Sequence, residues 1–126
     1  MPTTEITIDN LEHTVTDNDI VLLDFWAAWC GPCRNFAPVF ERASEAHSDI
    51  VFGKIDTEAQ RELAAGFGIT SIPTVMVFRE QVVVYAEPGA LNAAQLEHII
   101  GEVRDLDMEA VHAAIAEHEA AEEDRR

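Results

Sequence analysis

Ile20-Val21-Leu22-Leu23-Asp24-Phe25-Trp26 runs directly into Ala27-Ala28-Trp29-Cys30-Gly31-Pro32-Cys33, and this stretch decides the fold. The first seven residues form a nearly continuous β-prone apolar run, the pattern of a strand buried on both faces. One carboxylate, Asp24, stands in the middle of it. Gly31 and Pro32 then open a helix, because proline is tolerated in a first turn whose N–H groups have no partner. Phe36, Val39, Phe40 and Ala43 continue at helical spacing, and Pro38 predicts a kink after the first turn.

Both cysteines of the chain lie at this strand-to-helix junction, two residues apart. Such a pair can close and open a disulfide, but zinc sites use the same spacing. Tetrahedral zinc needs four protein ligands, or three and an open position. Here there is no second cysteine pair, and His13, His47, His98, His112 and His118 are scattered, so redox chemistry is the better reading. The unpaired N–H groups and the dipole at a helix start stabilise a thiolate. Cys30 is therefore expected to attack. Cys33, one turn further in and less exposed, is expected to resolve the mixed disulfide. The competing reading is an inert buried pair, against which Trp29 and Pro32 point to an exposed loop.

Outward from this core, Glu5 to Ile8 alternates like an edge strand. Asp9 or Asn10 can cap a short helix to about Val15, and Thr16 to Asp19 is a turn cluster. On the other side, Ile50 to Asp56 reads as a strand containing Lys54, and Thr57 to Ala65 as a short helix stopped by Gly66 and Gly68. Thr74 to Phe78 and Gln81 to Ala86 read as strands joined by a tight turn at Arg79-Glu80, with Pro88-Gly89 ending the second. Asn92 to about Arg104 is a helix with Leu96, Ile99, Ile100 and Val103 on one face. This order implies a central sheet covered by helices on both sides, an α/β fold.

With 126 residues, the chain has the length of one domain. It carries 24 acids against 8 bases, a net charge of −16. That surface repels nucleic acid and anionic membrane, both of which require clustered Lys and Arg, so neither is expected as a partner. The N-terminus has no basic segment ahead of an apolar one, and the first apolar run is too short to span a bilayer. The expectation is a cytoplasmic protein, where a lone cysteine pair is more often catalytic than structural. Residues 105–126 differ in composition: eight acids and two arginines, with Met108, Val111 and Ile115 at helical spacing. Asp107 can cap a helix of about three turns there. This zone reads as a last helix docked on its own domain and fraying into solvent, or alternatively as a partner-binding tail.

The segment Asp24-Phe25-Trp26-Ala27-Ala28-Trp29-Cys30-Gly31-Pro32-Cys33 closely resembles the active-site segment of thioredoxins. Lys54, Ser71-Ile72-Pro73-Thr74 and Gly89-Ala90-Leu91 fit the same pattern, and the resemblance covers about residues 5–104. It implies the thioredoxin fold: a central mixed sheet of about five strands flanked by four helices. The acidic helical extension, 105–126, follows the thioredoxin domain, 1–104. The implied function is a protein disulfide reductase, with no bound cofactor beyond the Cys30–Cys33 disulfide. Its implied partners are disulfide-containing proteins and an NADPH-dependent thioredoxin reductase that recharges it, with the chain itself a monomer.

Residue by residue, the resemblance makes Cys30 the nucleophile, Cys33 the resolving thiol, Asp24 the buried carboxylate beneath them and Lys54 its partner. A carboxylate in a buried strand should hold its proton unusually well, which suits a group that takes the proton from Cys33. The plainer alternatives are a carboxylate satisfied by hydrogen bonds and a lysine snorkelling from a strand edge. Pro73 matches a proline that the family holds cis, facing the cysteine loop. It would then shape a groove where the backbone of Ile72 pairs with an extended substrate. Trp29, Gly31, Pro32, Ile72, Pro73, Gly89 and Ala90 would surround the thiols as an apolar patch, while Trp26 packs behind the loop. Arg34, Ala28, a glycine-free turn at Glu80-Gln81 and the acidic extension depart from the family pattern. Two rivals remain. An oxidase or isomerase usually carries a different dipeptide, often with histidine, between its cysteines. A binding or holdase module would use the apolar patch and the tail.

Overall fold

Alternation along the central strand sets the two layers of the molecule. The computed structural model describes residues 2–125. Its elements are β1 (Thr3–Glu5), α1 (Leu11–Asp17), β2 (Ile20–Trp26), α2 (Gly31–Ala46), β3 (Val51–Asp56), α3 (Arg61–Gly66), β4 (Thr74–Arg79), β5 (Val82–Pro88), α4 (Ala93–Asp105) and α5 (Met108–Asp124). The five strands form one mixed sheet in the order β1-β3-β2-β4-β5, with β1, β3 and β2 parallel and β4 and β5 antiparallel to their neighbours.

Successive strand residues face opposite sides of a sheet. Ile20 and Leu22 of β2, with Phe52 of β3, pack against Phe36, Phe40 and Ala43 of α2 and Leu96, Ile100 and Val103 of α4. Val21, Leu23 and Phe25, with Ile55, pack on the other side against Leu63 of α3 and Leu11 and Val15 of α1. By the same parity Asp24 and Trp26 of β2, and Lys54 and Asp56 of β3, belong to the α2 side. At Gly53 of β3 the side chains of Ile6 and Leu23 fill the space where a side chain would stand. A Cβ there would lie 2.5 Å from Ile6 Cγ1 and 2.9 Å from Leu23 Cδ2, so no larger residue fits without movement.

Several boundaries differ from the sequence expectation for local reasons. β1 spans Thr3–Glu5 rather than 5–8, because the Asn10 side chain accepts from Thr7 N (2.7 Å) and donates to Glu5 O (2.9 Å), folding the chain into α1. α3 begins only at Arg61. Asp56 Oδ1 accepts from the N–H groups of Glu58 and Ala59 and holds 57–59 as a turn. The β4–β5 turn is Glu80-Gln81, not Arg79-Glu80. Both residues have positive φ (49° and 68°), the geometry that matches the twist of a two-residue hairpin. α2 continues through Pro38, whose exposed side leaves the unpaired carbonyl of the preceding turn open to water.

α4 opens with a reciprocal cap: Asn92 Oδ1 accepts from Gln95 N at 2.8 Å, and Gln95 Oε1 from Asn92 N at 2.9 Å. At its other end Arg79 Nη1 donates to the carbonyls of Val103, Arg104 and Leu106, tying the α4–α5 junction to the hairpin. α5 starts on Asp107, which accepts from Ala110 N at 3.2 Å. It runs 17 residues, longer than the three turns expected. Met108 is buried, Val111 and Ile115 are half-buried, and every described residue beyond Ile115 is exposed. The His112–Glu80 pair (3.0 Å) fixes α5 beside the hairpin turn.

Candidate functional site

Register brings the expected site residues to one end of the sheet. β2 finishes at Trp26. Antiparallel pairing sets Phe25 opposite Thr74, and Thr74 opposite Pro88. The loop after β2, the residues just before β4 and the residues just after β5 therefore share an edge. The hairpin and α5 lie at the other end, where Ile20 pairs with Arg79, about 20 Å away for a seven-residue strand.

Cys30 is the N-cap of α2 and is joined to Cys33 by a disulfide, with Cα atoms 5.2 Å apart. The Cys33 backbone N–H donates to Cys30 Sγ at 3.2 Å. Sulfur here occupies the place where a Ser or Asp oxygen would cap a helix, and the same N–H would stabilise a thiolate after reduction. Cys30 is 4 % exposed and Cys33 2 %, both packed with Ala27, Trp26 and Ile72. Cys33, Phe36, Phe40 and Ala43 share the sheet-facing side of α2, the side of the sheet that also carries Asp24.

Across from the pair, the Ile72–Pro73 peptide is cis, and the Ile72 carbonyl oxygen lies 3.8 Å from Cys30 Sγ. Gly89, at φ 111°, donates its N–H to Pro73 O at 2.8 Å, joining the two loops. A side chain at that φ would be strained. Trp29 is 68 % exposed. Its Nε1 donates to Glu58 Oε1 at 2.9 Å, and Arg61 pairs with the other oxygen of Glu58. The polar edge of the indole is tied down and its apolar face is left outward. Pro32 and Ala90 are also exposed, Gly31 and Ile72 half-buried, and Pro73 buried. Arg34 Nη1 donates to Ala28 O at 2.8 Å across the base of the loop.

Asp24 is fully buried, and neither carboxyl oxygen has a hydrogen-bond partner among the described residues. Burial pushes its pKa up to about 7, and the Lys54 ammonium pulls the other way. Lys54 sits directly opposite Asp24 in the β2–β3 register, with its Nζ 4.9 Å from the centroid of the Trp26 ring. That Lys54–Trp26 contact escapes a residue-by-residue reading, which places Trp26 only as packing. Strand parity across two elements is the signal that carries it. Among the described residues, no three His, Cys, Asp or Glu side chains gather where a metal ion could be held.

A family model described as Thioredoxin matches residues 2–102. The chain is 60 % identical over 118 residues to "Putative thioredoxin 2" of Streptomyces coelicolor, covering 94 % of this chain and 88 % of that protein. That span exceeds the family match and reaches into the acidic extension. A thioredoxin of Alicyclobacillus acidocaldarius is 38 % identical over 104 residues, covering 78 % of this chain and 98 % of the relative. Among solved structures, a mutant thioredoxin from Halobacterium salinarum superimposes with a TM-score of 0.76 at 31 % identity, covering 82 % of this chain and 92 % of that one. With the fold, the Cys-Gly-Pro-Cys loop and these likenesses in agreement, the chain belongs to the thioredoxin family of thiol–disulfide oxidoreductases, with Cys30 and Cys33 as its redox pair.

Proposed function

We propose that the protein works as a disulfide reductase, the catalytic domain being residues 1–104. The thiolate of Cys30 attacks one sulfur of a substrate disulfide. That bond breaks, a mixed disulfide forms on Cys30, and the leaving sulfur departs as a thiolate that takes up a proton. Asp24 accepts the proton of Cys33, whose thiolate then attacks Cys30 Sγ and displaces the substrate's second sulfur. Two electrons have passed to the substrate, and the Cys30–Cys33 disulfide remains. An NADPH-dependent thioredoxin reductase returns two electrons to it. Trp29, Gly31, Pro32, Ile72, Pro73, Gly89 and Ala90 form the surface on which an extended segment lies, its backbone paired with that of Ile72. Lys54 is the partner that tunes Asp24. A reducing role fits a monomer working in a reducing compartment, the cytoplasm. Among the described residues, no helix is long and apolar enough to cross a membrane.

The observation that carries this reading is the Cys33 N–H aimed at Cys30 Sγ (3.2 Å), which favours a thiolate on the attacking sulfur. The test couples the protein to NADPH and a bacterial thioredoxin reductase and follows insulin disulfide reduction. NADPH consumption that depends on the protein supports the reading, and none refutes it. The extension is anchored through Met108, Val111, His112 and Ile115 at the end of the sheet remote from the disulfide. Deleting 107–126 should therefore change turnover in the same assay by less than about twofold, since sites so far apart act independently.

A further inference from the structure

We propose that Trp26 is a positioning residue for the proton-transfer half of the exchange: its indole face parks the Lys54 ammonium beside Asp24. The inference rests on the roles assigned above to Asp24 and Lys54. Its own basis is the juxtaposition of three side chains on the α2 side of the sheet. Asp24 and Lys54 are direct neighbours across β2 and β3, and Trp26 lies one side-chain repeat further along β2 on the same face. Lys54 Nζ stands 4.9 Å from the ring centroid, within the range of an effective cation–π contact.

The ammonium has other anions to choose from. Glu5 of β1 is its register partner on the far side, and Asp56 is the next residue of β3 on the same face. Both line, with Thr3, Trp26 and Lys54, a cleft of about 350 Å³ open to water. Thr3 there donates to Glu41 of α2. Despite this acidic surround, Lys54 has no carboxylate oxygen within 4.0 Å among the described residues, whereas other basic side chains (Arg61, Arg104) do pair. An exposed ion pair with Glu5 or Asp56 and a cation–π contact are of similar strength. The ring is therefore strong enough to shift where a long, flexible side chain spends its time. Held over Trp26, the ammonium favours the ionised form of Asp24. Released toward Glu5 or Asp56, it would leave Asp24 with the uncharged Val75 as its neighbour on β4.

The test titrates the Asp24 carboxyl by carbon-13 NMR, together with the pH profile of insulin reduction, in five proteins: unmodified, Trp26→Leu, Trp26→Phe, Lys54→Met and the Trp26→Leu/Lys54→Met double variant. Trp26→Leu should raise the Asp24 midpoint by about half a pH unit or more and lower the rate at pH 7 about two- to threefold. Trp26→Phe, which keeps a ring face, should restore most of both. In the Lys54→Met background Trp26→Leu should move neither. A midpoint unmoved by Lys54→Met overturns the assigned Lys54–Asp24 partnership. A midpoint moved by Lys54→Met but not by Trp26→Leu, or moved equally by Trp26→Leu in both backgrounds, leaves that partnership intact and overturns the role of Trp26. Should Trp26→Leu fail to fold, the unmodified protein still decides. The ε-methylene protons of Lys54 should be shifted upfield by the indole ring current, and ordinary lysine shifts overturn the inference.

Discussion

Cys30→Ser abolishes disulfide reduction, and Cys33→Ser stops it one step later. Serine at position 30 keeps the helix cap but supplies no thiolate, so no mixed disulfide forms and turnover falls to the level of exchange without the protein. Serine at 33 leaves the attacker intact. Cys30 still receives the Cys33-position N–H and still faces the cis-proline loop, so the first exchange proceeds. Nothing then displaces the second substrate sulfur, and the covalent complex accumulates. Non-reducing gel electrophoresis and mass spectrometry should find a stable one-to-one adduct with Cys33→Ser and none with Cys30→Ser. Normal turnover by the Cys33→Ser protein would reverse the attacker and resolver assignments.

The second large effect concerns Asp24 and shows in stability as well as rate. The folded protein holds the Asp24 proton up to about pH 7, whereas an unfolded aspartate releases it near 3.8. Folding therefore binds a proton across that window, and stability declines as pH rises from about 4 through 7. Below the window the carboxyl is neutral in both states and adds no pH dependence. Above it, the full difference, about 4 kcal/mol, has been lost. Asp24→Asn removes this dependence. Denaturant unfolding of the oxidised proteins at pH 5 and 8 should show the wild type losing several kcal/mol relative to the variant, which becomes the more stable of the two at pH 8. The same substitution removes the proton acceptor for Cys33. Reduction at pH 7 should fall by about 10²-fold, the lower end of general base catalysis, with the pH step near 7 gone. Equal pH dependence of stability in both proteins would show that the carboxyl is not held protonated by burial.

Stability and chemistry thus pull against each other at one residue. An unpartnered carboxylate inside a strand weakens the fold at neutral pH, yet its burial makes it half-ionised where a thiol must be deprotonated.

Much of this was legible because local rules and tertiary packing agree. β2 has the bounds its composition implies, and α4 starts and ends within a residue of the expected Asn92 to Arg104. The helix after Cys30 is likewise set by Gly31-Pro32 and the spacing of Phe36 and Phe40. Agreement failed where a single side chain redirected the backbone. The alternation at 5–8 looks like a strand, but Asn10 turns the chain, so Ile6 is buried and Ile8 is left 62 % exposed. Asp56 holds Glu58 and Ala59 in a side-chain-capped turn, and α3 starts only at Arg61. At the hairpin, no glycine marks the two positive-φ positions, so the turn slid by one residue. α5 gains length from alanines and the His118–Glu122 pair, which a count of apolar positions overlooks. The site followed a similar division. Cysteine spacing and proline placement can be read along the chain. The Lys54–Trp26 contact and the Arg79 clamp on α4 depend on pairing between strands and helices far apart in sequence.

The central claim is that the opening turn of α2 makes Cys30 acidic. It is tested most directly by titrating the ultraviolet thiolate absorbance of the Cys33→Ser protein, in which Cys30 is the one remaining thiol. Ionisation well below the ordinary thiol value of about 8.5 is the expected result. A midpoint at or above that value would contradict it and remove the physical basis for Cys30 as the attacking sulfur.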